Sequence, residues 1–493
     1  MKRLKEILPE EKIIEASNLK EDLMVKGVTD DSRRVEPGFL FVARKGKNLD
    51  GEAFIREALK RGAVALLRES PLERGLDCPQ IRVEDIRRTL GEVALNFYDR
   101  PEKGLTLIGI TGTNGKSSTS FFLKSLLERL HKKAGYIGTL FYEIEERIPA
   151  KETTPSILEI ASLLKRANLA QLEYVVMEVS SHALDQDRIY PLHFKVAAFT
   201  NLSRDHLDYH ETMEAYFSAK KKLFTQYLEK DGRAVISLET EYGKILFSEL
   251  KSSGPLKKEA LIPVNDEAVS VQILGRAPGL KLRIQTARGL YEVETHLFGD
   301  YQAKNVATLW GCALALGLRD EEIAWALEGL TNPPGRLELC GNKKGALIFV
   351  DYAHTPEALE NAIKSLLPLK GNRLITLFGC GGNRDPGKRP LMGRIASKLS
   401  DLVILTSDNP RNEDPLRIIE DIKVGMNGSK PYFCIPERRS ALEFAVKSLK
   451  EGDILLVAGK GHETYQEIGG KRYPFSDQVE IKKILEELKA NAH

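Results

Sequence analysis

The fold is decided by the stretch Leu105-Thr-Leu-Ile-Gly-Ile-Thr-Gly-Thr-Asn-Gly-Lys-Ser117, in which an apolar run enters a glycine-rich turn. A helical pattern follows from 117 towards 131. Strand, loop and helix in this order predict a phosphate-binding unit, because loop N–H groups and the positive end of the helix dipole attract an anion. Lys116 is placed for terminal phosphate oxygens and Ser117 for Mg²⁺.

The loop departs from the strict spacing GxxxxGK[ST]. That spacing requires glycine at position 110, where this chain has Ile110, so the generic motif fails by one residue. The alternative to a phosphate-binding loop is a glycine-rich turn before an ordinary helix. The Lys-Ser pair at the end of the loop argues against this alternative.

The pattern of apolar runs predicts an α/β protein of several domains. A chain of 493 residues exceeds the roughly 250–300 residues that one core supports. After the breaker Asn332-Pro-Pro-Gly335, apolar runs alternate with helical patterns, which predicts a mostly parallel, doubly wound sheet. We predict domains at 1–100, 101–334 and 335–493. The predicted strands are 39–43, 63–67, 105–110, 174–179, 196–200, 347–350, 374–378, 402–405 and 454–458, with hairpins over 269–297 and a helix over about 303–316.

Composition excludes several classes of protein. Hydrophobic residues make up 42% and charged residues 29%, and no apolar run approaches the roughly 20 residues of a membrane span. The N-terminus has no secretory signal pattern, so we expect a cytoplasmic protein without membrane insertion. A net charge of +3 without a dense basic block argues against nucleic acid as a partner. We expect a monomer with free thiols at Cys78, Cys312, Cys340, Cys380 and Cys434.

Two further features have chemistry that the residues alone leave open. Glu178 ends the apolar run Tyr174-Val-Val-Met-Glu178, where a carboxylate is costly unless it is hydrogen-bonded or meets a cation such as Mg²⁺. Backbone N–H groups would satisfy it equally well. His206 and His210, four residues apart, are compatible with a zinc pair, a surface pair or a core pair.

The order of the motifs resembles that of the Mur ligase and folylpolyglutamate synthetase superfamily, from about 29 to 465. The matching motifs are Thr111-Gly-Thr-Asn-Gly-Lys-Ser117, Glu178-Val-Ser-Ser-His-Ala-Leu184, Thr200-Asn-Leu-Ser-Arg-Asp-His-Leu-Asp-Tyr-His210, Ala215-Tyr-Phe-Ser-Ala-Lys220, Gly299-Asp-Tyr-Gln-Ala-Lys-Asn305 and Gly335-Arg-Leu-Glu338. The resemblance implies a small uridine-nucleotide α/β domain, a central P-loop ATPase domain and a C-terminal Rossmann-like domain.

For ATP and Mg²⁺, the resemblance implies a site built on the loop. Ser117 and Glu178 would hold one Mg²⁺, and His206 would help hold a second. The family carbamylates the lysine that matches Lys220, and the carbamate is an anionic metal ligand, whereas the unmodified amine would repel the metal. The implied catalytic residues are Lys116, Glu178, His206, Lys220 and Arg336. The implied ATP contacts in the loop are Thr111, Gly112, Thr113, Asn114, Gly115, Lys116 and Ser117. Three further ATP contacts are implied: Asn305 near the adenine, Arg336 at a phosphate and Asp351 at the ribose. For Arg336 the alternative is an interdomain salt bridge.

Two substrate sites also follow from the resemblance. For the UDP-muramoyl dipeptide the matching positions are Asp30, Ser32, Lys47, Asn48, Glu152, Thr153, Thr154, Ser180, Gln186 and Arg188, with Glu152 a departure from the asparagine that relatives often carry. For meso-2,6-diaminopimelate they are Arg384, Asp408, Asn409, Pro410, Arg411, Gly459 and Glu463. The string Asp408-Asn-Pro-Arg411 marks diaminopimelate selection, since Arg411 can pair with the distal carboxylate that lysine lacks.

The implied reaction belongs to peptidoglycan synthesis. ATP phosphorylates the D-Glu γ-carboxylate of UDP-N-acetylmuramoyl-L-Ala-D-Glu, and the diaminopimelate amine attacks the acyl phosphate. No residue is singled out as the base; His354 and His206 are weak candidates. The alternatives are the L-lysine-adding ligase, a folylpolyglutamate synthetase-like ligase, a P-loop phosphotransferase and a non-catalytic nucleotide-binding regulator.

Overall fold

The computed structural model describes residues 1–46, 50–253, 258–266, 268–426, 428 and 430–490. The chain packs as two compact units, Met1–Val269 with Thr308–Arg319, and Ser270–Ala307 with Asp320–His493. This division into two units does not test the three predicted domains, 1–100, 101–334 and 335–493, which remain a prediction.

The first unit contains two larger β-sheets and the helices that cover them. Its strands are β1 (Lys2–Arg3), β2 (Ile13–Ser17), β3 (Met24–Val25), β4 (Gly27–Thr29), β5 (Phe39–Val42), β6 (Ala63–Arg68), β7 (Gln80–Val83), β8 (Thr106–Thr111), β9 (Ala134–Ile137), β10 (Tyr142–Glu143), β11 (Arg147–Ile148), β12 (Tyr174–Glu178), β13 (Phe194–Phe199), β14 (Leu228–Ser237) and β15 (Leu261–Val264). Its helices are α1 (Leu4–Ile7), α2 (Ile55–Lys60), α3 (Ile86–Phe97), α4 (Lys116–Arg129), α5 (Ile157–Leu169), α6 (Ser181–Asp185), α7 (Leu207–His210), α8 (Met213–Thr225) and α9 (Glu241–Ser253).

The larger sheet of this unit has the strand order β11-β10-β9-β12-β8-β13-β14-β15. Strand β8 lies between β12 and β13 and is parallel to both, with Glu178 opposite Ile110 and Phe199 opposite Thr111. The three strands are buried along nearly their whole length, as expected for parallel strands covered on both faces. Their carboxyl ends therefore bring the phosphate loop, Glu178 and the segment after Phe199 to one edge.

The N-terminal part forms a smaller sheet of order β2-β7-β6-β5-β4. Strands β4 to β7 are parallel, and only β2 is antiparallel to its neighbour. Helix α3 packs its buried face, which includes Leu90, Val93 and Ala94, into the core that this sheet shares with the rest of the unit.

The second unit is built on a six-stranded sheet. Helix α10 (Gln302–Ala315) belongs in part to each unit. The remaining strands are β16 (Val269–Gly275), β17 (Lys281–Thr286), β18 (Gly289–Glu294), β19 (Glu338–Lys343), β20 (Ala346–Asp351), β21 (Leu374–Phe378), β22 (Leu402–Leu405), β23 (Tyr432–Cys434), β24 (Ile454–Ala458), β25 (Tyr465–Ile468) and β26 (Lys471–Pro474). The remaining helices are α11 (Asp320–Glu328), α12 (Pro356–Leu366), α13 (Lys388–Leu399), α14 (Pro415–Lys423), α15 (Arg438–Ser448) and α16 (Asp477–Ala490).

The order of this sheet is β19-β20-β24-β21-β22-β23, with β19 antiparallel and the other neighbours parallel. Helices α12 to α14 cover one apolar face, and α15 and α16 cover the other. This arrangement is the predicted doubly wound sheet. The loops after β20, β22 and β24 leave its carboxyl edge, where ligands bind in such sheets.

The predicted elements are confirmed. Each predicted strand is present within a residue or two, and the predicted helix over 303–316 is α10. Within 269–297 the chain forms the three-stranded sheet β16-β17-β18, in which β17 and β18 make an antiparallel hairpin. Among the described residues, the helices are too short or too polar for any of them to cross a bilayer.

Candidate active site

The phosphate-binding loop occupies the turn between β8, which ends at Thr111, and α4, which begins at Lys116. Gly115 caps the helix with a φ of +83°, in the left-handed region that glycine tolerates. A Cβ on Gly112 would lie 1.9 Å from Thr200 Oγ1, so only glycine allows this close approach. The N-terminus of α4 is thereby placed as an anion site.

A second segment braces the loop from the end of β13. Asn201 Oδ1 accepts a hydrogen bond from the Asn114 N–H at 2.9 Å, and Thr200 Oγ1 donates to the Asn114 carbonyl at 2.6 Å. The Thr113 N–H donates to the Asn201 carbonyl at 2.9 Å. The loop conformation is therefore fixed by the protein itself.

Two lysines direct their ammonium groups at the same loop. Lys116 Nζ donates to the carbonyls of Gly112 and Thr113, both at 2.9 Å. Lys220 Nζ donates to the Gly112 carbonyl at 2.8 Å, and Lys220 is 1% exposed. Burial lowers the pKa of Lys220 well below its usual value, and the charge of Lys116 lowers it further. Burial and the neighbouring Lys116 thus both disfavour the charged form of Lys220.

Glu178 is fully buried at the end of β12 and accepts four hydrogen bonds. Ser117 Oγ donates to Oε2 at 2.9 Å, and Thr139 donates through its N–H to Oε1 at 2.9 Å and through Oγ1 to Oε2 at 3.0 Å. The Tyr136 hydroxyl donates to Oε1. The protein thus satisfies this carboxylate, chiefly through side chains. A hydroxyl and a carboxylate in contact are also hard oxygen ligands that fit Mg²⁺.

The histidine pair belongs to an aromatic cluster beside Lys220. His206 is exposed and directly precedes α7, whereas His210 is buried and stacks on Tyr216 at 5.1 Å between ring centroids. His182 packs against both, and burial lowers its pKa to about 4. Within the described ranges, no group of three or more His, Cys, Asp or Glu residues is arranged to hold a metal ion, so nothing there supports a zinc site.

His206 and Lys220 fit a second Mg²⁺ only in part. Both side chains face Tyr216, at 5.9 Å between ring centroids for His206 and at 4.6 Å from the ammonium to the ring centroid for Lys220. An imidazole nitrogen can ligate a divalent cation, but an ammonium repels it. A carbamate on Lys220 removes this conflict, because it supplies anionic oxygens.

Six predicted dipeptide contacts form one connected network. Thr153 Oγ1 lies 3.0 Å from Thr139 Oγ1, and Thr154 Oγ1 donates to the Glu178 carbonyl at 2.8 Å. The Ser180 N–H donates to Thr154 Oγ1 at 2.9 Å. One end of the network is therefore next to Glu178, whose carboxylate also accepts the hydrogen bond from Ser117.

The network continues through an arginine. Arg188 Nε donates to Gln186 Oε1 at 2.8 Å, and its Nη1 forms an ion pair with Glu152. Glu152, which departs from the family pattern, is therefore the partner of a predicted substrate contact. An asparagine at this position would leave Arg188 without that countercharge.

Two further predicted dipeptide contacts, Asp30 and Ser32, follow strand β4 of the N-terminal sheet. Asp30 pairs with Arg44, with 2.6 Å between Oδ2 and Nη2. Ser32 Oγ donates to Glu57 Oε2 at 3.3 Å. Lys47 and Asn48 lie outside the described residues.

In the second unit, Arg336 and Asp351 lie close together near the end of β20. The Arg336 guanidinium lies over the Tyr352 ring, 5.0 Å from its centroid. Asp351 accepts the N–H groups of Leu337 at 2.7 Å and Ala353 at 2.8 Å. Burial raises the pKa of Asp351, and the charge of Arg336 opposes the rise. Asn305, in α10, donates to Gln302 Oε1 at 2.7 Å.

The predicted diaminopimelate contacts meet at the carboxyl edge of the six-stranded sheet. Asn409 Nδ2 donates to Glu463 Oε2 at 2.8 Å, which joins the loops after β22 and β24. A Cβ on Gly459 would lie 2.4 Å from Asp408 Oδ2, so glycine is needed at this contact. Burial raises the pKa of Asp408.

Of the two predicted arginines, Arg384 lies in the loop after β21 and Arg411 contacts that loop. Arg411 Nη1 donates to the Gly382 carbonyl at 2.7 Å, and its Nε lies 3.5 Å from Glu467 Oε2. A Cβ on Gly381 would lie 2.9 Å from Arg411 Nη1 and 3.8 Å from Arg384 Cγ. The side chain of Arg384 is exposed. The Pro410 carbonyl lies close to Gly382. A Cβ on Gly382 would be only 2.0 Å from the Pro410 carbonyl oxygen.

Three family models match the chain in sequence order. The Mur ligase family catalytic domain matches residues 24–98, the Mur ligase middle domain 110–313 and the Mur ligase glutamate ligase domain 335–461. A UDP-N-acetylmuramoyl-L-alanyl-D-glutamate--2,6-diaminopimelate ligase from Aquifex aeolicus (strain VF5) is 45% identical over 466 residues, covering 94% of each chain. This chain belongs to the Mur ligase family.

Solved structures agree with this assignment. A structure of a UDP-N-acetylmuramoyl-L-alanyl-D-glutamate--2,6-diaminopimelate ligase is 32% identical, with a TM-score of 0.71 and 99% of both chains covered. The MurF ligase from Thermotoga maritima, solved in complex with ADP, is 20% identical with a TM-score of 0.58, covering 96% of this chain and 99% of that one. The second likeness shows a shared Mur ligase fold.

Some residues of this Mur ligase site were missed by sequence reasoning. Tyr136 and Thr139 hold Glu178 but belong to no motif that marks them. Asn201 belongs to a matching motif but has no predicted role, although its place just past the end of the buried strand β13 is a usable signal. Lys460, which lies between the predicted contacts Gly459 and Glu463 in the chain, was also missed, although it contacts Asn409 and Glu463.

Proposed function

We propose that this Mur ligase joins meso-2,6-diaminopimelate to UDP-N-acetylmuramoyl-L-alanyl-D-glutamate with ATP, releasing ADP and phosphate. The observation that carries the proposal is the assembly of Asn409, Arg411 and Glu463 at one sheet edge. It offers a guanidinium and a carboxylate to a substrate that bears both charges. The name of the A. aeolicus relative supports the same substrates.

The phosphoryl step uses the loop after β8. Its N–H groups and Lys116 bind the terminal phosphates, and their charge stabilises negative charge as the γ-phosphoryl group passes to the D-Glu γ-carboxylate. The same proposal assigns Thr111 to Ser117, Asn305, Arg336 and Asp351 to the nucleotide. When bound, Mg²⁺ neutralises phosphate charge, held by Ser117 and Glu178 at one position and by His206 with a Lys220 carbamate at the other.

The dipeptide network holds the acyl acceptor. Thr153, Thr154 and Ser180 supply neutral hydrogen-bonding groups, while Arg188 supplies a positive charge to the substrate carboxylates. The acyl phosphate is then attacked by one diaminopimelate amine, which forms the amide bond and expels phosphate. Because both nucleotide substrates are cytoplasmic metabolites, we place the reaction in the cytoplasm.

Lys220 suits carbamylation by its surroundings. An amine adds carbon dioxide only in its neutral form, and the complete burial of the Lys220 side chain disfavours the charged form. The charge of Lys116 acts in the same direction. A carbamate would also replace a repelled cation with an anionic ligand beside His206.

The test is to incubate the purified protein with ATP, Mg²⁺, the UDP-muramoyl dipeptide and meso-diaminopimelate, and to measure phosphate and product mass. We expect phosphate release that requires all of them, with a product heavier than the dipeptide by diaminopimelate minus water. A product that retains the phosphoryl group would indicate a phosphotransferase. ATP binding without turnover would indicate a regulator.

A further inference from the structure

Lys460 follows β24 and Gly459, is completely buried, and contacts two of the side chains predicted to bind diaminopimelate. Its Nζ donates to Asn409 Oδ1 at 3.1 Å, to Glu463 Oε2 at 3.2 Å and to the Tyr465 carbonyl at 2.5 Å. A lysine is seldom fully buried unless it is paired. Here the paired groups are two of the predicted ligand contacts.

The three side chains form a closed triangle. Asn409 Oδ1 also accepts the Glu467 N–H at 2.9 Å, and Asn409 Nδ2 donates to Glu463 Oε2 at 2.8 Å. The Asn409 carbonyl oxygen is thus fully used within the protein, and its remaining amide hydrogen can only donate. Glu463 Oε2 already accepts two donors, so the second carboxylate oxygen, Oε1, keeps its capacity to accept a further donor.

The ammonium also balances charge in a buried region. Burial raises the pKa of Asp408, and Arg438 followed by Lys460 opposes that rise. Arg438 is itself committed to Asp477 and to the carbonyls of Ser407 and Ala458, which ties the two strand ends together. Lys460 is therefore the buried cation that connects this scaffold to the side chains facing the ligand.

We propose that Lys460 is a positioning residue that sets the selectivity for the incoming amine. Through its hydrogen bonds to Glu463 and to Asn409, which itself donates to Glu463, it fixes the Glu463 carboxylate to accept an ammonium group. The attacking amine must be deprotonated, so the ammonium held by Glu463 is the non-reacting one. This inference rests on the proposed function, because it takes diaminopimelate as the amine.

The test compares meso-diaminopimelate with 2-aminopimelate, which keeps the distal carboxylate but lacks the second amine. For Lys460→Met, we expect kcat/KM for diaminopimelate to fall about 10- to 100-fold, mainly through KM, because a charge-assisted contact loses its geometry. With 2-aminopimelate the fall should be less than about threefold, since that contact is never made. KM for ATP should not change.

Lys343→Met is the matched control in the same unit. Lys343 Nζ donates to the carbonyls of Val446, Lys447 and Leu449, at the end of α15. Its loss should leave the preference between the two amines unchanged. An equal fall for both amines in Lys460→Met, or no fall, would overturn the inference while leaving the proposed function intact.

A charge-balanced double variant guards against failure of the single variant to fold. Lys460→Met/Glu463→Gln removes both charges, and its preference between the two amines should equal that of Glu463→Gln alone. If the double variant shows a weaker preference than Glu463→Gln alone, Lys460 does not act through Glu463 and the inference is overturned. Absence of wild-type turnover with diaminopimelate would overturn the proposed function and this inference together.

Discussion

The phosphate edge of the eight-stranded sheet and the amine edge of the six-stranded sheet handle charge in opposite ways. At the first, Lys116 and Lys220 both donate to backbone carbonyls, and neutral groups satisfy Glu178. At the second, Lys460 contacts Glu463 and Arg411 faces Glu467. Loop N–H groups and a lysine directed at the loop suit a polyphosphate, whereas a site of paired charges suits an amino acid that carries both charges.

The largest effect is expected at Lys116. Lys116→Ala removes a cation aimed at the phosphates, and we expect kcat to fall about 10³-fold, measured as ADP formation. Lys124→Met is the control, since Lys124 is a buried lysine of the same helix that pairs with Glu128 and Glu143. A rise in KM for ATP with unchanged kcat would contradict a role in the phosphoryl step.

Lys220 should give the next effect. Lys220→Ala removes the carbamate ligand, and we expect activity to fall about 10- to 100-fold and to return in part with a short-chain carboxylate such as acetate. Lys221→Ala serves as the neighbour control, because Lys221 is partly exposed and pairs with Glu249. Undiminished turnover of Lys220→Ala would disprove the carbamate, as would a loss that carboxylate cannot restore.

A smaller effect is expected at Tyr136. Tyr136→Phe removes one of four donors to Glu178, and we expect the free energy of unfolding, measured with urea, to fall by about 1–2 kcal/mol. Because Ser117 and Thr139 still donate, turnover should change only a few-fold. Loss of most activity would mean that Tyr136 does more than hold the carboxylate.

The same contrast explains what the sequence could predict. Strands such as β8, β12 and β24 are continuous apolar runs with a turn at each end, so the pattern along the chain locates them. Their parallel order then places Glu178 beside the phosphate loop. The resemblance assigned Asn409 and Glu463 to the same substrate, but it did not predict the hydrogen bond of 2.8 Å between their side chains.

Long-range partners were beyond the sequence. Tyr136 and Glu178 are 42 positions apart, and Lys460 and Asn409 are 51 apart. Nothing in the local pattern distinguishes such a lysine or tyrosine from one at the surface, because the partner is set by how strands align. The Glu152–Arg188 ion pair is a similar case. The sequence shows that Glu152 differs from the asparagine common in the family, but it does not show that Arg188 is its partner.

Selectivity between meso-diaminopimelate and L-lysine tests the central claim most directly. We would measure kcat/KM for both amines with the wild type and with Arg411→Ala. The account predicts that the wild type prefers diaminopimelate at least about 100-fold and that Arg411→Ala loses most of this preference, because lysine has no distal carboxylate to pair with the Arg411 guanidinium. Equal use of both amines, or preference for lysine, by the wild type would contradict it.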